Sequence, residues 1–157
     1  TIKKKYSAYI NLSDEKSIKV SKSIFDICEY LVENHFEDVT EKMKSIDKKI
    51  IYHGPCQLRN HGMGQPAVEL LRKIPNISIN LSEADCCGVG GTFGYIKGKG
   101  DISRSIGKGL MDQVKEIKPD LILCDSETCR WNIEKSSGIQ TIHPIQLILE
   151  SLELEKQ

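Results

Sequence analysis

Residues 85–91 read Asp-Cys-Cys-Gly-Val-Gly-Gly, and the rest of the chain is organised around this run. The trans peptide between Cys86 and Cys87 holds the two side chains apart, so adjacent cysteines do not readily bond to each other. Thiolate sulfur is a preferred ligand of zinc and of the iron in iron–sulfur clusters. Gly88, Gly90 and Gly91 allow backbone N–H groups to approach a bulky inorganic centre. The run therefore predicts a metal site, against the alternative of two buried cysteines beside a flexible turn.

Outward from this run, short apolar segments alternate with helical stretches from residue 48 onward. Strands are predicted at residues 50–52, 77–81, 121–123 and 140–142, and helices at residues 66–73, 102–117, 127–135 and 145–152. Uniformly apolar strands in this alternation are typical of a parallel sheet covered by helices on both faces. The predicted fold is α/β, a three-layer sandwich with a mainly parallel four-stranded sheet, Rossmann-like or flavodoxin-like.

The first 47 residues are charged and carry apolar residues at helical spacing. We expect residues 1–47 to be an N-terminal helical segment that packs on an α/β domain of residues 48–157. Cys28 lies on the apolar stripe of this segment, so we interpret it as a small core residue. A chain of 157 residues is long enough for one domain, and we expect it to be part of a longer protein.

The composition argues against several classes of function. Lys plus Arg equals Asp plus Glu, 22 against 22, so no net charge attracts nucleic acid or anionic lipid. Six cysteines without an apolar signal segment or a long apolar span indicate a reducing, cytoplasmic setting, where clustered cysteines serve metal binding or catalysis. Gly88 and Gly90 begin a G-x-G-x-x-G pattern, but position 93 is Phe, so no dinucleotide-binding loop is predicted.

The predicted sheet brings cysteines from distant parts of the chain together. In an open parallel sheet the carboxyl ends of all strands lie at one edge, where ligands bind. The cysteines that follow the first three predicted strands are Cys56, Cys86, Cys87, Cys124 and Cys129. His53 and His143 end the first and fourth strands, and they are either neighbours of a metal centre, hydrogen-bond donors to its sulfur, or structural histidines. We therefore expect these thiols to meet at one edge of the sheet.

The sequence predicts a role for the side chain of Cys129 but leaves the orientation of Cys124 open. Cys129 lies in the first predicted turn of a helix behind Ser126, whose side chain we interpret as the N-cap. The positive end of that helix lowers the pKa of the Cys129 thiol and favours the thiolate that binds metal. Cys124 ends an apolar strand, so its side chain either reaches the edge of the sheet or enters the core.

Four motifs together resemble the cysteine-rich CCG domain family. They are Tyr-His-Gly-Pro-Cys at residues 52–56, Cys-Cys-Gly-Val-Gly-Gly-Thr-Phe-Gly at 86–94, Glu-Thr-Cys-Arg-Trp at 127–131 and His-Pro at 143–144. The family occurs in heterodisulfide reductase and in the iron–sulfur subunits of glycolate oxidation, lactate oxidation and anaerobic glycerol-3-phosphate dehydrogenase complexes. The last two motifs bring the resemblance nearest to the glycerol-3-phosphate dehydrogenase group, and it covers residues 50–152.

The resemblance implies an iron–sulfur electron-transfer domain with a four-iron cluster, which is non-cubane in heterodisulfide reductase. By position, the residues that match family ligands are Cys56, Cys86, Cys87 and Cys129. A further family cysteine falls at position 126, where this chain has Ser126. Either four thiolates hold the cluster, or Cys124 or the Ser126 hydroxyl takes the place of the missing thiol.

The resemblance also implies partners. A ferredoxin-like region and a first CCG domain precede such a domain in relatives, and electrons pass from a flavin-containing dehydrogenase subunit towards a membrane quinone or another acceptor. The chain is then not catalytic alone, and it meets the membrane only through its partners. The residues leave two alternatives open, a zinc-binding structural or docking domain and a thiol–disulfide redox enzyme with Cys129 as nucleophile.

Overall fold

The computed structural model describes residues 14–62 and 64–152. Its centre is a sheet of four strands, β1 (Lys49–Tyr52), β2 (Ser78–Leu81), β3 (Leu121–Leu123) and β4 (Thr141–Ile142). All pairs of neighbouring strands are parallel, and the strand order is β2-β1-β3-β4. The predicted α/β fold is therefore confirmed, and the order is that of flavodoxin-like sheets.

Eight α-helices surround this sheet within the described residues. They are α1 (Asp14–Lys22), α2 (Ile27–Asn34), α3 (Phe36–Thr40), α4 (Cys56–His61), α5 (Pro66–Leu71), α6 (Gly100–Ile117), α7 (Glu127–Ser137) and α8 (Pro144–Ser151). The four helices predicted after the first strand correspond to α5, α6, α7 and α8, whereas the sequence pattern does not predict α4. In the described ranges, no helix is both long and apolar enough to span a bilayer.

Alternate residues of the strands face two separate hydrophobic cores. Ile50 and Tyr52 belong to the core beneath α2, α5 and α8, whereas Ile51 belongs to the core beneath α6 and α7. The cysteines of the second core are Cys87, Cys124 and Cys129. Cys28 lies in the first core, on the opposite face of the sheet.

The N-terminal region packs on the first core through α2, which begins with a capping box. Asp26 accepts a hydrogen bond from the backbone N–H of Cys28 at 2.9 Å, and Glu29 accepts one from the backbone N–H of Asp26 at 3.1 Å. Cys28 is fully buried, as expected for a core residue. Residues 1–13 and 153–157 of the two predicted segments lie outside the described residues, and the division of the chain at residue 47 stays a prediction.

The strand order opens a crevice between the carboxyl ends of β1 and β3. The chain leaves β1 for β2 on one side, while β3 pairs with β1 on the other, so the two connections diverge at this point. α4 begins at Cys56 just after β1, and α7 begins at Glu127 just after β3. The loop that carries Cys86 and Cys87 follows β2. Three segments that are distant in sequence therefore meet at this crevice.

Candidate metal centre

Four cysteines line one narrow cleft at this edge of the sheet. They are Cys56 on α4, Cys86 and Cys87 in the loop after β2, and Cys129 on α7. The other residues of the cleft are Pro55, Gln57, Val89, Gly90, Gly91, Ser126 and Thr128. Cys56 is exposed and Cys86 is half-buried, whereas Cys87 and Cys129 are only 3% and 7% exposed. The cleft therefore offers thiols from its mouth to its floor.

The backbone of the loop after β2 directs N–H groups at sulfur. The three glycines of residues 85–91 have φ angles between 56° and 95°, in the left-handed region that favours glycine. The N–H of Gly88 donates to Cys86 Sγ over 3.3 Å, and the N–H of Val89 donates to the sulfur of Cys87. Successive N–H groups of this kind form a concave surface that stabilises negative charge. The loop therefore suits thiolate sulfur.

Close packing against α6 gives a second reason for glycine in this loop. A Cβ atom on Gly88 would lie 2.2 Å from the carbonyl oxygen of Ser103, which is closer than such atoms can approach. A Cβ atom on Gly107 would lie 2.6 Å from the carbonyl oxygen of Cys87. The loop and α6 thus meet backbone to backbone, and this contact fixes the backbone of Cys87 against the helix.

Two side chains outside the predicted site hold the loop from its other sides. Arg59 of α4 pairs with Asp85, with 2.8 Å between Nη1 and Oδ1, and its Nη2 donates to the Asp85 carbonyl oxygen. Asn132 of α7 donates from Nδ2 to the carbonyl oxygen of Cys87 over 2.8 Å. Asn132 lies one helical turn after Cys129, and this spacing is the signal in the sequence that could have identified it.

The thiols of Cys87 and Cys124 each hydrogen-bond to the sulfur of Cys129. Hydrogen bonds from Cys124, Cys87 and Ser126 hold the pKa of the Cys129 thiol well below its ordinary value, although burial opposes this. The bond to Cys129 and burial raise the pKa values of Cys87 and Cys124. The predicted lowering of the Cys129 pKa is therefore found, and the groups that cause it are neighbouring side chains.

Ser126 occupies the N-cap of α7 by its backbone angles, φ −91° and ψ 124°, but its side chain makes no capping hydrogen bond. The hydroxyl instead lies 3.3 Å from Thr128 Oγ1 and hydrogen-bonds to the sulfur of Cys129. The predicted capping role of this side chain is therefore wrong, because the buried thiolate competes for the hydroxyl. Ser126 lines the cleft, whereas Cys124 is fully buried and contacts the site through Cys129.

The two histidines at strand ends have different surroundings. His143 caps α8, with its Nδ1 accepting a hydrogen bond from the Ile145 N–H at 3.1 Å. His53 is 1% exposed, and its Nδ1 lies 3.4 Å from Ser82 Oγ. Its other ring nitrogen, Nε2, has no hydrogen-bond partner among the described residues. Burial lowers the pKa of both imidazoles, and for His53 the nearby Cys129 opposes this while Arg59 adds to it.

The fold and this cleft define a class of protein, a flavodoxin-like α/β domain with free thiols gathered at the carboxyl edge of its sheet. The sequence profile of the CCG family, the cysteine-rich domain, matches residues 50–134. The chain therefore belongs to the CCG cysteine-rich domain family. The resemblance inferred from its four motifs is confirmed.

Curated relatives carry the same domain within longer chains. The protein is 37% identical over 116 residues, 74% of its length, to a subunit of the anaerobic glycerol-3-phosphate dehydrogenase of Escherichia coli strain K12, and covers 29% of it. It is 28% identical over 159 positions, 98% of its length, to a subunit of the fumarate reductase (CoM/CoB) of Methanothermobacter marburgensis, and covers 30% of it. It is 25% identical over 145 residues, 90% of its length, to the glycolate oxidase iron-sulfur subunit of Escherichia coli strain K12, and covers 34% of it. The chain thus spans about a third of these relatives.

Proposed function

We propose that this chain is an iron–sulfur electron-transfer domain of a multi-subunit dehydrogenase or reductase. The observation that carries the proposal is the single cleft lined by cysteines from three distant segments, the one that begins α4, the pair after β2 and the one on α7. The names of the relatives support it, because they are subunits of a dehydrogenase, a reductase and an oxidase, and the last is named an iron–sulfur subunit.

The residues of the cleft fit such a cluster. Iron–sulfur clusters are held by cysteine thiolates, and the ligands that we propose are Cys56, Cys86, Cys87 and Cys129. Cys129 is already held as a thiolate by its neighbours. The backbone N–H groups of residues 88–91 are proposed donors to sulfur. We propose that the Ser126 hydroxyl takes the place of the missing family thiol, because it hydrogen-bonds to Cys129 and the residue lines the cleft.

The chain contributes the environment of the redox group. An iron–sulfur cluster supplies one-electron chemistry when bound. The thiolates, the N–H donors of the loop and the burial of Cys87 and Cys129 together set its reduction potential. In this proposal the chemistry of the substrate belongs to a partner subunit, and the chain alone is not catalytic.

The relatives are named as subunits, which supports the existence of partner subunits, and the specific partners are part of the proposal. We assign a flavin-containing dehydrogenase subunit as electron donor, a quinone or another acceptor downstream, and a ferredoxin-like region and a first CCG domain as neighbours in the same protein. A cytoplasmic location is part of the proposal, with membrane contact only through partners. All six cysteines are free, which is typical of a reducing compartment.

Metal analysis of the chain after anaerobic reconstitution with iron and sulfide tests the proposal. We expect brown protein that binds iron and acid-labile sulfide. A colourless protein that takes up one zinc ion under the same conditions would support the structural or docking domain instead. A metal-free protein that turns over a disulfide, and loses this activity on Cys129→Ala, would support the thiol–disulfide enzyme. Reconstitution precedes the assay, because exposure to oxygen destroys such clusters.

A further inference from the structure

We propose that His53 donates a hydrogen bond from Nε2 to sulfur of the metal centre and thereby favours the reduced state of that centre. The inference rests on the proposed function and assigns one more residue to it. His53 is then a positioning and tuning residue and not a ligand.

The buried position of His53 requires a partner for its ring. The residue directly follows β1, and its backbone N–H donates to the Leu123 carbonyl oxygen over 2.8 Å, so it lies at the crevice between β1 and β3. The side chain is 1% exposed, and Nε2 is unpartnered among the described residues. Buried polar atoms are rarely left without a hydrogen bond, and an exception points to an unfilled interaction.

The hydrogen bonds of Ser82 allow the imidazole of His53 to carry its hydrogen on Nε2, which is the tautomer that we propose. Ser82 Oγ accepts a hydrogen bond from the backbone N–H of Ala84 over 3.1 Å. Its own hydroxyl hydrogen is then available for Nδ1 of His53, which lies 3.4 Å from Oγ. With Nδ1 as acceptor, a neutral imidazole carries its hydrogen on Nε2. In this tautomer the unpartnered nitrogen is a donor and needs an acceptor.

The position of His53 at the crevice, together with the charged groups that act on it, favours sulfur as that acceptor. Cys129 is the anionic neighbour that affects the imidazole, and His53 in turn helps to hold Cys129 as a thiolate. Arg59 is the cationic neighbour, and a cation offers no acceptor. Because Nε2 makes no hydrogen bond to the Cys129 thiol, the acceptor that we propose is sulfide of the centre, held beside Cys129.

A hydrogen bond to sulfur matters more in the reduced state, because that state carries one more negative charge. Removal of the donor should disfavour reduction. We expect a loss of about tenfold in the reduction equilibrium, which for a one-electron couple corresponds to a potential ~59 mV more negative.

The test compares His53→Leu with His53→Gln in the reconstituted full chain. Leucine removes the donor, whereas the glutamine side chain places an N–H group near the position of Nε2. We expect unchanged iron and sulfide content in both variants, a more negative midpoint potential in His53→Leu, and a potential close to wild type in His53→Gln. His35→Leu is the matched control, because His35 is half exposed and lies on the α2–α3 side of the molecule. It should leave the potential unchanged.

A second measurement compares wild type with His53→Leu, because labelled histidine enters all four histidine positions. In wild-type protein labelled with ¹⁵N-histidine, pulsed EPR of the paramagnetic centre should resolve a weak coupling to the His53 nitrogen and a coupling to its exchangeable Nε2 proton. The weak coupling should be absent from His53→Leu. A strong coupling that is lost in His53→Leu, as from an iron–nitrogen bond, would make His53 a ligand and overturn the donor role.

The outcomes separate the two proposals. A wild-type chain that binds no iron and sulfide would overturn the proposed function, and the role of His53 with it. A wild-type chain that binds both, with His53→Leu at the wild-type potential, would overturn the role of His53 alone.

Discussion

Cys28 and Cys129 both lie in the first turn of a helix and both are buried, at 0% and 7% exposed, yet their thiols behave in opposite ways. Burial and the carboxylates of Asp26 and Asp125 raise the pKa of Cys28 to about 12. The pKa of Cys129 is lowered, chiefly by hydrogen bonds from neighbouring thiols. The start of a helix therefore does not by itself make a thiolate, and the groups that face the sulfur decide its ionisation.

The surroundings of Cys28 also contain groups that bind metals elsewhere. Ligand atoms of Asp26, Cys28 and Asp125 all lie within 4.8 Å of one another. Each carboxylate, however, already accepts a protein hydrogen bond, Asp26 from the Cys28 N–H and Asp125 from the Tyr52 hydroxyl at 2.7 Å. This cluster is explained by the capping of α2 and by the buried tyrosine. On the other face of the sheet, by contrast, Cys87 and Cys124 hydrogen-bond to the sulfur of Cys129.

The largest expected effect comes from removing one thiol on each face. Cys87→Ala should abolish binding of iron and sulfide, because it removes a buried sulfur from the floor of the cleft. Cys28→Ala should leave the metal content unchanged and lower the free energy of unfolding by about 1 kcal/mol, through a small cavity. Iron and sulfide per chain after anaerobic reconstitution measure the first effect, and thermal unfolding of the metal-free chain measures the second. Equal metal loss from both variants would contradict the distinction between the two faces.

A large effect on stability is expected where the cysteine loop meets α6. Gly107→Ala places a Cβ atom 2.6 Å from the Cys87 carbonyl oxygen, so backbone has to move, and we expect a loss of about 3 kcal/mol in the free energy of unfolding. Gly109→Ala on the same helix is the matched control. Its Cβ atom meets nothing within 4 Å, so alanine should stabilise the helix by about 1 kcal/mol. Denaturant unfolding measures both, and equal stability of the two variants would show that α6 does not press on the loop.

The sheet and the meeting of thiols at its edge could be predicted from the sequence, because apolar runs mark the strands and parallel strands share one carboxyl edge. The direction of Cys124 could not. Strand alternation places it on the same face as Ile122, but only the packed structure shows that α7 covers that face and that Cys129 reaches it. The contact between Gly88 and α6 could not be predicted from the sequence either, since it depends on how closely two backbones approach.

The histidines and Ser126 show the same limit for polar side chains. His53 and His143 follow equivalent strands, yet their side chains differ. His143 caps a helix, whereas Nε2 of the buried His53 is unpartnered among the described residues. Ser126 has the backbone of an N-cap, but its hydroxyl bonds to Cys129. In each case the sequence identifies a position, and the competition among nearby acceptors decides the partner.

Alkaline pH should reveal the raised pKa of Cys28 as a loss of stability. The pKa of Cys28 is raised from 9.0 to about 12, so the folded state keeps the proton while the unfolded state loses it. Its contribution to stability is complete below pH 9.0 and falls as the pH rises towards 12. Relative to Cys28→Ala, the wild-type chain should lose about 1.4 kcal/mol between roughly pH 8 and pH 10. Urea unfolding of both metal-free proteins across this range measures the difference, and parallel pH profiles would contradict the assignment.

The smallest expected effect is a change in the spectrum of the centre, caused by a thiol at position 126. The hydroxyl of Ser126 hydrogen-bonds to Cys129 and the residue lines the cleft, so Ser126→Cys should bring another sulfur to the metal. We expect the iron content to stay at the wild-type value while the visible absorption and circular dichroism change. Ser105→Cys, an exposed position on α6, controls for an added thiol and should leave both spectra as in wild type. Wild-type spectra for Ser126→Cys would mean that side chains at position 126 do not reach the metal. The four cysteines of the cleft would then hold the cluster without a fifth protein ligand at this position.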